Sequence, residues 1–360
     1  MSQPKKIEKE KRLIKYLGEE MLTTHFSDIS EEKRKELQDL YFKKPSISEI
    51  RKALIKIKKG SNNIGLIEKY YFRDLMSKVM LDNLHWTIEE VFQSRDVLGI
   101  LYSFISVNDK VFPPEVSEIE KIETALRIGP RVTQKPSNYP LASVRDILSK
   151  YNINDNYCDY SCGWGVRMLG ALSLGINYFG IDPNNLLTER LKELSLEFKK
   201  VNDTGTIVDI RTQGSENFIP EWENKMGVAF TSPPYFSYED YRIGEEQSFK
   251  KDKTTYDQWL KEYWTGTVKN IHKYLIRGGA FLVNIQNTKI RGKEYPLQDD
   301  CRRIAEENGF VLVDTHILKT IARPSIAANK DLTPNEDIMV FARKGETLKV
   351  KEMEFSEDEW

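Results

Sequence analysis

From about residue 140 onward, short apolar runs alternate with amphipathic helical stretches, which restricts this part of the chain to a parallel sheet covered by helices. Seven runs read as strands: YCDY (157–160), NYFGID (177–182), TIVDIRT (206–212), GVAFTS (227–232), AFLVNIQ (280–286), FVLVDTHIL (310–318) and DIMVFARK (337–344). Between them lie helical stretches at 186–202, 256–275 and 299–309, the last stopped by Gly309.

Ahead of this pattern the chain reads as helical throughout. Apolar residues recur at three- and four-residue spacing, Ser46 with Glu49 and Thr87 with Glu90 form capping boxes, and a helix is expected to end near Gly60. A second helix is expected over VFQSRDVLGILYSFI. Prolines at 113–114 and between 129 and 140 break helices, so the chain divides into a helical region 1–125, an α/β domain 126–345 and an acidic tail 346–360.

Composition excludes other classes. The 360 residues carry 54 Lys+Arg against 55 Asp+Glu, and no apolar run approaches the ~18 to 20 residues of a bilayer span. The first residues are charged where a signal peptide is apolar, so the expected location is the cytoplasm of a prokaryotic or phage-type system, with no membrane partner. Cys158, Cys162, Cys301 and the four histidines lack metal-ligand spacing, so no metal is expected. The balance is uneven, however: residues 1–60 hold 16 Lys+Arg and 10 Asp+Glu, which allows a polyanion partner.

The first strand runs into Asp159-Tyr-Ser161-Cys-Gly163-Trp-Gly165 and then a helix. Glycines at such a turn let a ligand approach the backbone, at the strand end where open α/β sheets bind ligands. A dinucleotide fingerprint needs a third glycine where Met168 stands, and no Walker-type phosphate loop exists. The next strand ends in Asp182, suited to the two hydroxyls of a ribose, and the third in Thr212-Gln-Gly-Ser215-Glu216-Asn217, suited to an adenine edge.

Together these residues resemble the class I S-adenosylmethionine-dependent methyltransferases. The resemblance implies a Rossmann-like, seven-stranded, mostly parallel sheet with helices on both faces, its last strand antiparallel, preceded here by the helical region. It also implies S-adenosyl-L-methionine as cofactor, with Asp159, Ser161, Gly163 and Gly165 on the methionine part, Asp182 on the ribose and Ser215 or Glu216 on the adenine. The segment 135–148, with Pro136 and Tyr139, resembles the helix that closes over the methionine, and 335–342 resembles the family's last strand.

The fourth strand ends in Thr231-Ser232-Pro233-Pro234-Tyr235-Phe236. Two prolines fix φ and remove two N–H donors, so the loop presents acceptors. Such a loop suits an exocyclic amine: Ser232 and a proline-region carbonyl can accept its two hydrogens, Tyr235 can stack on a base, and Phe236 can pack behind it. This resembles motif IV of the amino-group DNA methyltransferases, whose serine form is most typical of cytosine-N4 enzymes. No proline is followed by cysteine, so methylation at carbon-5 is disfavoured. The motif order is like the gamma arrangement, without that group's large carboxyl-terminal recognition domain.

The expectation is a DNA methyltransferase acting on cytosine N4 of a flipped base, with adenine N6 second. An RNA or protein methyltransferase and a non-catalytic nucleic-acid-binding subunit on the same sheet are the rivals. A cognate restriction endonuclease is an allowed partner. For gripping DNA the candidates are Lys52, Lys56 and Lys59 on the basic helix 47–59, Arg323 in the loop 320–334, and the polar segment 237–256 as a lid.

Overall fold

The computed structural model describes residues 29–81, 86–106, 113–128, 133, 135–136, 138–202, 204–242, 247–248, 254–290, 292–318 and 336–351. One sheet dominates: β1 (Asn156–Asp159), β2 (Asn177–Asp182), β3 (Val208–Thr212), β4 (Met226–Thr231), β5 (Leu275–Asn284), β6 (Phe310–Leu318) and β7 (Glu336–Arg343). Their spatial order is β6-β7-β5-β4-β1-β2-β3. The strands from β5 to β3 run parallel, and β7 is antiparallel to both β5 and β6. This is the class I methyltransferase arrangement of strands. The chain order reverses between β1 and β4, the point at which such sheets bind ligands.

All seven expected strands are present. The largest boundary difference is at β5, which begins at Leu275 rather than 280. Its opening residues include Gly278 and Gly279, and its register against β4 shifts from Met226↔Leu275 to Val228↔Ala280. So glycine-rich an entry into a strand carries no apolar run.

Period-two alternation feeds two apolar layers. Tyr157, Tyr178, Val228, Phe230, Leu282 and Val340 face the helices Leu141–Tyr151, Val166–Ser173 and Asn185–Val201. Cys158, Phe179, Ala229, Phe281, Val283 and Phe341 face Trp259, Trp264, Val268 and Ile304 on the other side. Every residue of β4 is buried, as a strand covered on both faces requires.

The helical region splits between two cores. Ile50, Leu54, Ile57, Ile67, Tyr71, Phe72 and Met76 join the first layer of the sheet. Leu37, Tyr41, Val91, Phe92, Leu98, Leu101 and Ile122 make a separate core. Arg73 bridges toward it, donating to the Tyr41 carbonyl at 2.9 Å and to Glu123 at 2.6 Å. Both expected capping boxes form. The stretch read as one helix after Thr87 is two, Ile88–Gln93 and Arg95–Ser106, because Ser94 between them is extended. The expected helix 256–275 contains a π-helical turn, Trp259–Trp264. Among the described residues no helix is long and apolar enough to cross a membrane.

Candidate functional site

Asp159, the last residue of β1, is fully buried and fully engaged. Arg167 Nε donates to both its oxygens at 3.0–3.1 Å, the Tyr178 hydroxyl to Oδ2 at 2.9 Å and the Thr231 hydroxyl to Oδ1 at 2.9 Å. Burial works against the Arg167 charge, and the adjoining Asp159 carboxylate outweighs it, so the guanidinium pKa is raised. Arg167 also donates to the Ser161 carbonyl, which lies 3.1 Å from the Thr231 hydroxyl. Asp159 therefore braces the turn that follows it rather than presenting free oxygens at the surface.

In that turn Gly163 and Gly165 have φ of +56° and +77°, the left-handed region that favours glycine. Their surroundings differ. A Cβ on Gly165 would lie 2.9 Å from Leu191 Cδ2, so this glycine lets the turn pack on the helix Asn185–Val201. A Cβ on Gly163 would meet Arg167 Nη2 at 3.4 Å and the Ser161 carbonyl at 3.9 Å, contacts without the overlap found at Gly165. The Cys162 N–H donates to the Ile181 carbonyl at 3.0 Å, pinning the turn to β2.

At the end of β2, Asp182 accepts from the Asn184 N–H at 3.0 Å and faces the Gly163 N–H. Burial pushes its carboxyl up to about 7 against the pull of those donors. Ser215, after β3, is buried, with its Oγ 2.7 Å from Thr267 Oγ1 and its carbonyl accepting from Asn270. The Tyr263 hydroxyl joins these strand ends, 3.4 Å from Ser161 Oγ and beside Ser215. Sequence patterns do not single out Tyr263. Its only signal there is an aromatic stripe at helical spacing, Tyr256, Trp259 and Tyr263.

Thr231 ends β4 and leads straight into Ser232 and the two prolines, so the bond from Thr231 to Asp159 ties the loop to the glycine turn. Ser232, Pro234 and Tyr235 are half-buried and Pro233 is buried. Among the described residues the Ser232 hydroxyl has no hydrogen-bond partner, so it remains available to a ligand. Phe236 has φ +51°, a left-handed backbone that a bulky residue rarely adopts. It is held there by rings of Tyr256, Trp259 and Tyr295 at 5.5–6.0 Å.

The helical region reaches the same edge. Glu68 accepts from Lys135 and from Asn138 Nδ2, fixing the segment that carries buried Pro136 and sets the Tyr139 ring 5.5 Å from Phe230. Met80–Leu81 pairs with Glu239–Asp240, just beyond the Pro-Pro loop. Trp164, inside the glycine turn, packs between Phe72 and Tyr241, and Tyr241 donates to Glu239. Residues 239–240 of the expected lid are thus a strand, while 243–246 and 249–253 lie outside the described residues.

Lys52, Lys56 and Lys59 are exposed but do not join this edge. Their helix is anchored by Lys58 to the Ser173 carbonyl and through the Leu54 carbonyl to Asn202. Ser173 and Asn202 close the helices that return the chain to the amino ends of β2 and β3, so these lysines sit at the far end of the sheet from Ser232. Arg323 lies outside the described residues. Among the described residues no group of three or more His, Cys, Asp or Glu could hold a metal ion.

No family profile and no curated protein matches this sequence. Solved structures similar to the chain include magnesium protoporphyrin IX methyltransferase (ChlM) from Synechocystis PCC 6803 with bound SAM, at 14% identity and TM-score 0.37, covering 56% of this chain and 77% of that one. A TehB-like SAM-dependent methyltransferase from Corynebacterium glutamicum is 15% identical, at TM-score 0.37, over 58% of this chain and 89% of that one. The CcbJ methyltransferase from Streptomyces caelestis is 12% identical, at TM-score 0.40, over 59% and 100%. At such scores neither substrate nor reaction transfers from those proteins to this chain.

Proposed function

We propose that the chain is an S-adenosylmethionine-dependent DNA methyltransferase acting on an exocyclic amine, cytosine N4 first and adenine N6 second. The observation that carries this reading is the Ser232-Pro233-Pro234-Tyr235 loop leaving β4 beside the glycine turn of β1, tied to it by the Thr231–Asp159 bond. The polar groups at the strand ends fit the cofactor. Gly163 turns the backbone without a side chain, Asp182 offers a carboxylate to the ribose hydroxyls, and Ser161, Ser215 and Tyr263 gather hydroxyls between β1 and β3.

S-adenosylmethionine, when bound, supplies a methyl carbon on a positively charged sulfur. Ser232 and a carbonyl of the proline region accept the two amine hydrogens and turn the nitrogen lone pair toward that carbon. As the nitrogen–carbon bond forms, the carbon–sulfur bond breaks with its electron pair on sulfur and the nitrogen gives up one proton to solvent; Ser232 is half-buried, so water can reach the amine it holds. The half-buried Tyr235 ring stacks on the base. A base within a duplex cannot reach such a loop, so the target is flipped out or single-stranded.

The test is incubation of the protein with DNA, RNA and methyl-labelled cofactor, followed by nucleoside mass spectrometry. N4-methylcytosine is the expected product. N6-methyladenine would move the specificity to adenine, label confined to RNA or protein would remove DNA as substrate, and no transfer to any acceptor would overturn the enzymatic reading.

A further inference from the structure

Between β5 and the helix Leu297–Glu307 the chain makes a small hairpin, Thr288–Ile290 against Lys293–Tyr295. A two-stranded hairpin is marginal alone in water, and this one is built into the molecule at three points. Ile290 is 3% exposed within the aromatic layer. Asn287 at its base donates to Asp299 at 2.8 Å and accepts from the Gln298 N–H at 3.0 Å. Tyr295 packs on Tyr256 at 5.0 Å and on Phe236 at 5.5 Å, the residue directly after the Ser232–Tyr235 loop.

On this fixed support, among the described residues, stand two exposed cations. Lys293 Nζ lies 5.0 Å from the Tyr295 ring centroid, a cation–π contact that steadies the side chain and leaves its three donors uncommitted to any carboxylate. Lys289 is exposed on the paired strand. Among the described residues neither makes an ion pair, even though Glu294 is the register partner of Lys289. The neighbouring helix behaves differently: Arg302 and Arg303 are consumed by Glu306, Glu307 and Asp300. Unpaired cations on a rigid mount, one ring away from the loop that faces the reacting group, are suited to phosphate rather than to solvent alone.

We propose that the paired strands Thr288–Ile290 and Lys293–Tyr295 grip the nucleic-acid backbone next to the target nucleotide, with Lys289 and Lys293 on flanking phosphates. This rests on the DNA reading above and assigns the grip to the near edge of the sheet rather than to the distant basic helix. The experiment compares the parental protein, K289A/K293A and K52A/K56A/K59A in DNA methylation and DNA binding across a salt series. The hairpin variant is expected to raise KM for DNA about tenfold, keep kcat and cofactor affinity, and lower the salt slope by about 0.9 for each phosphate no longer neutralised. The helix variant is expected to match the parent. Parental KM and salt slope in K289A/K293A overturn the hairpin assignment alone; a parental protein that methylates another acceptor and neither binds nor methylates DNA overturns both readings.

Discussion

The Thr231 hydroxyl donates to Oδ1 of Asp159 at 2.9 Å, joining the last residue of β4 to the last residue of β1 across the switch point of the sheet. Asp159 is in turn neutralised by Arg167, which also holds the Ser161 carbonyl. One buried carboxylate thereby sets the position of both the glycine turn and the Pro-Pro loop.

That network predicts an ordered set of stability losses. D159A strands the Arg167 guanidinium in the core and is expected to cost ~3–5 kcal/mol, whereas T231V removes one bond to a charged acceptor and is expected to cost ~1.5–3 kcal/mol. Urea denaturation of both variants checks the order. Equal losses would mean that the Arg167 charge finds another partner.

Asp182 predicts a pH dependence. Its folded pKa of about 7 lies above the ordinary value near 3.9, so the proton is held more tightly in the folded protein. Its contribution to stability without ligand is complete below about pH 4 and is lost as pH rises through about 7. Ribose hydroxyls need the ionised form, so cofactor affinity should rise about tenfold per pH unit up to about 7 and then level. Calorimetry across that range should show the slope in the parent and its loss, with weaker binding, in D182N.

The two glycines should separate stability from binding. G165A adds a Cβ 2.9 Å from Leu191 Cδ2 at a left-handed φ and is expected to lower stability by ~1–3 kcal/mol. G163A bears the conformational cost without that clash, so its stability loss should be smaller while its cofactor affinity falls further. Thermal unfolding paired with cofactor titration decides, and the reverse ranking would remove Gly163 from the cofactor surface.

The loop residues should fail in different steps. S232A is expected to raise the barrier for methyl transfer by ~2–4 kcal/mol with DNA and cofactor affinity kept. Y235A should weaken base capture by ~1–3 kcal/mol, and Y235F should restore most of it. Single-turnover rates at saturating cofactor distinguish them; a parental rate in S232A would make the loop a structural turn.

The residue order alone determined the strand count, both capping boxes and the placement of Asp159, Gly163, Gly165, Asp182 and Ser232 at turns and strand ends. These are local properties, because apolar runs, φ-permissive residues and side-chain caps act within a few positions of themselves. Only the tertiary structure decided what each residue touches. Along the chain Asp159 is a carboxylate at a strand end beside a glycine turn, and only the fold shows Arg167, Tyr178 and Thr231, contributed by a helix and two other strands, closing around it. Tyr263 became part of the site because the π-helical turn and the sheet brought it to Ser161 and Ser215. The lysines of the helix Ile47–Lys58 and its flank look alike in sequence wherever the helix docks, and burial of Ile50, Leu54 and Ile57 against the sheet's helices carried them to the far end. The hairpin at 288–295 is too short for a periodic signal, and its place beside Phe236 follows from Ile290 and Tyr295 seeking the aromatic layer. Non-local burial fixes such positions, and no pattern along the chain encodes which distant surfaces will meet.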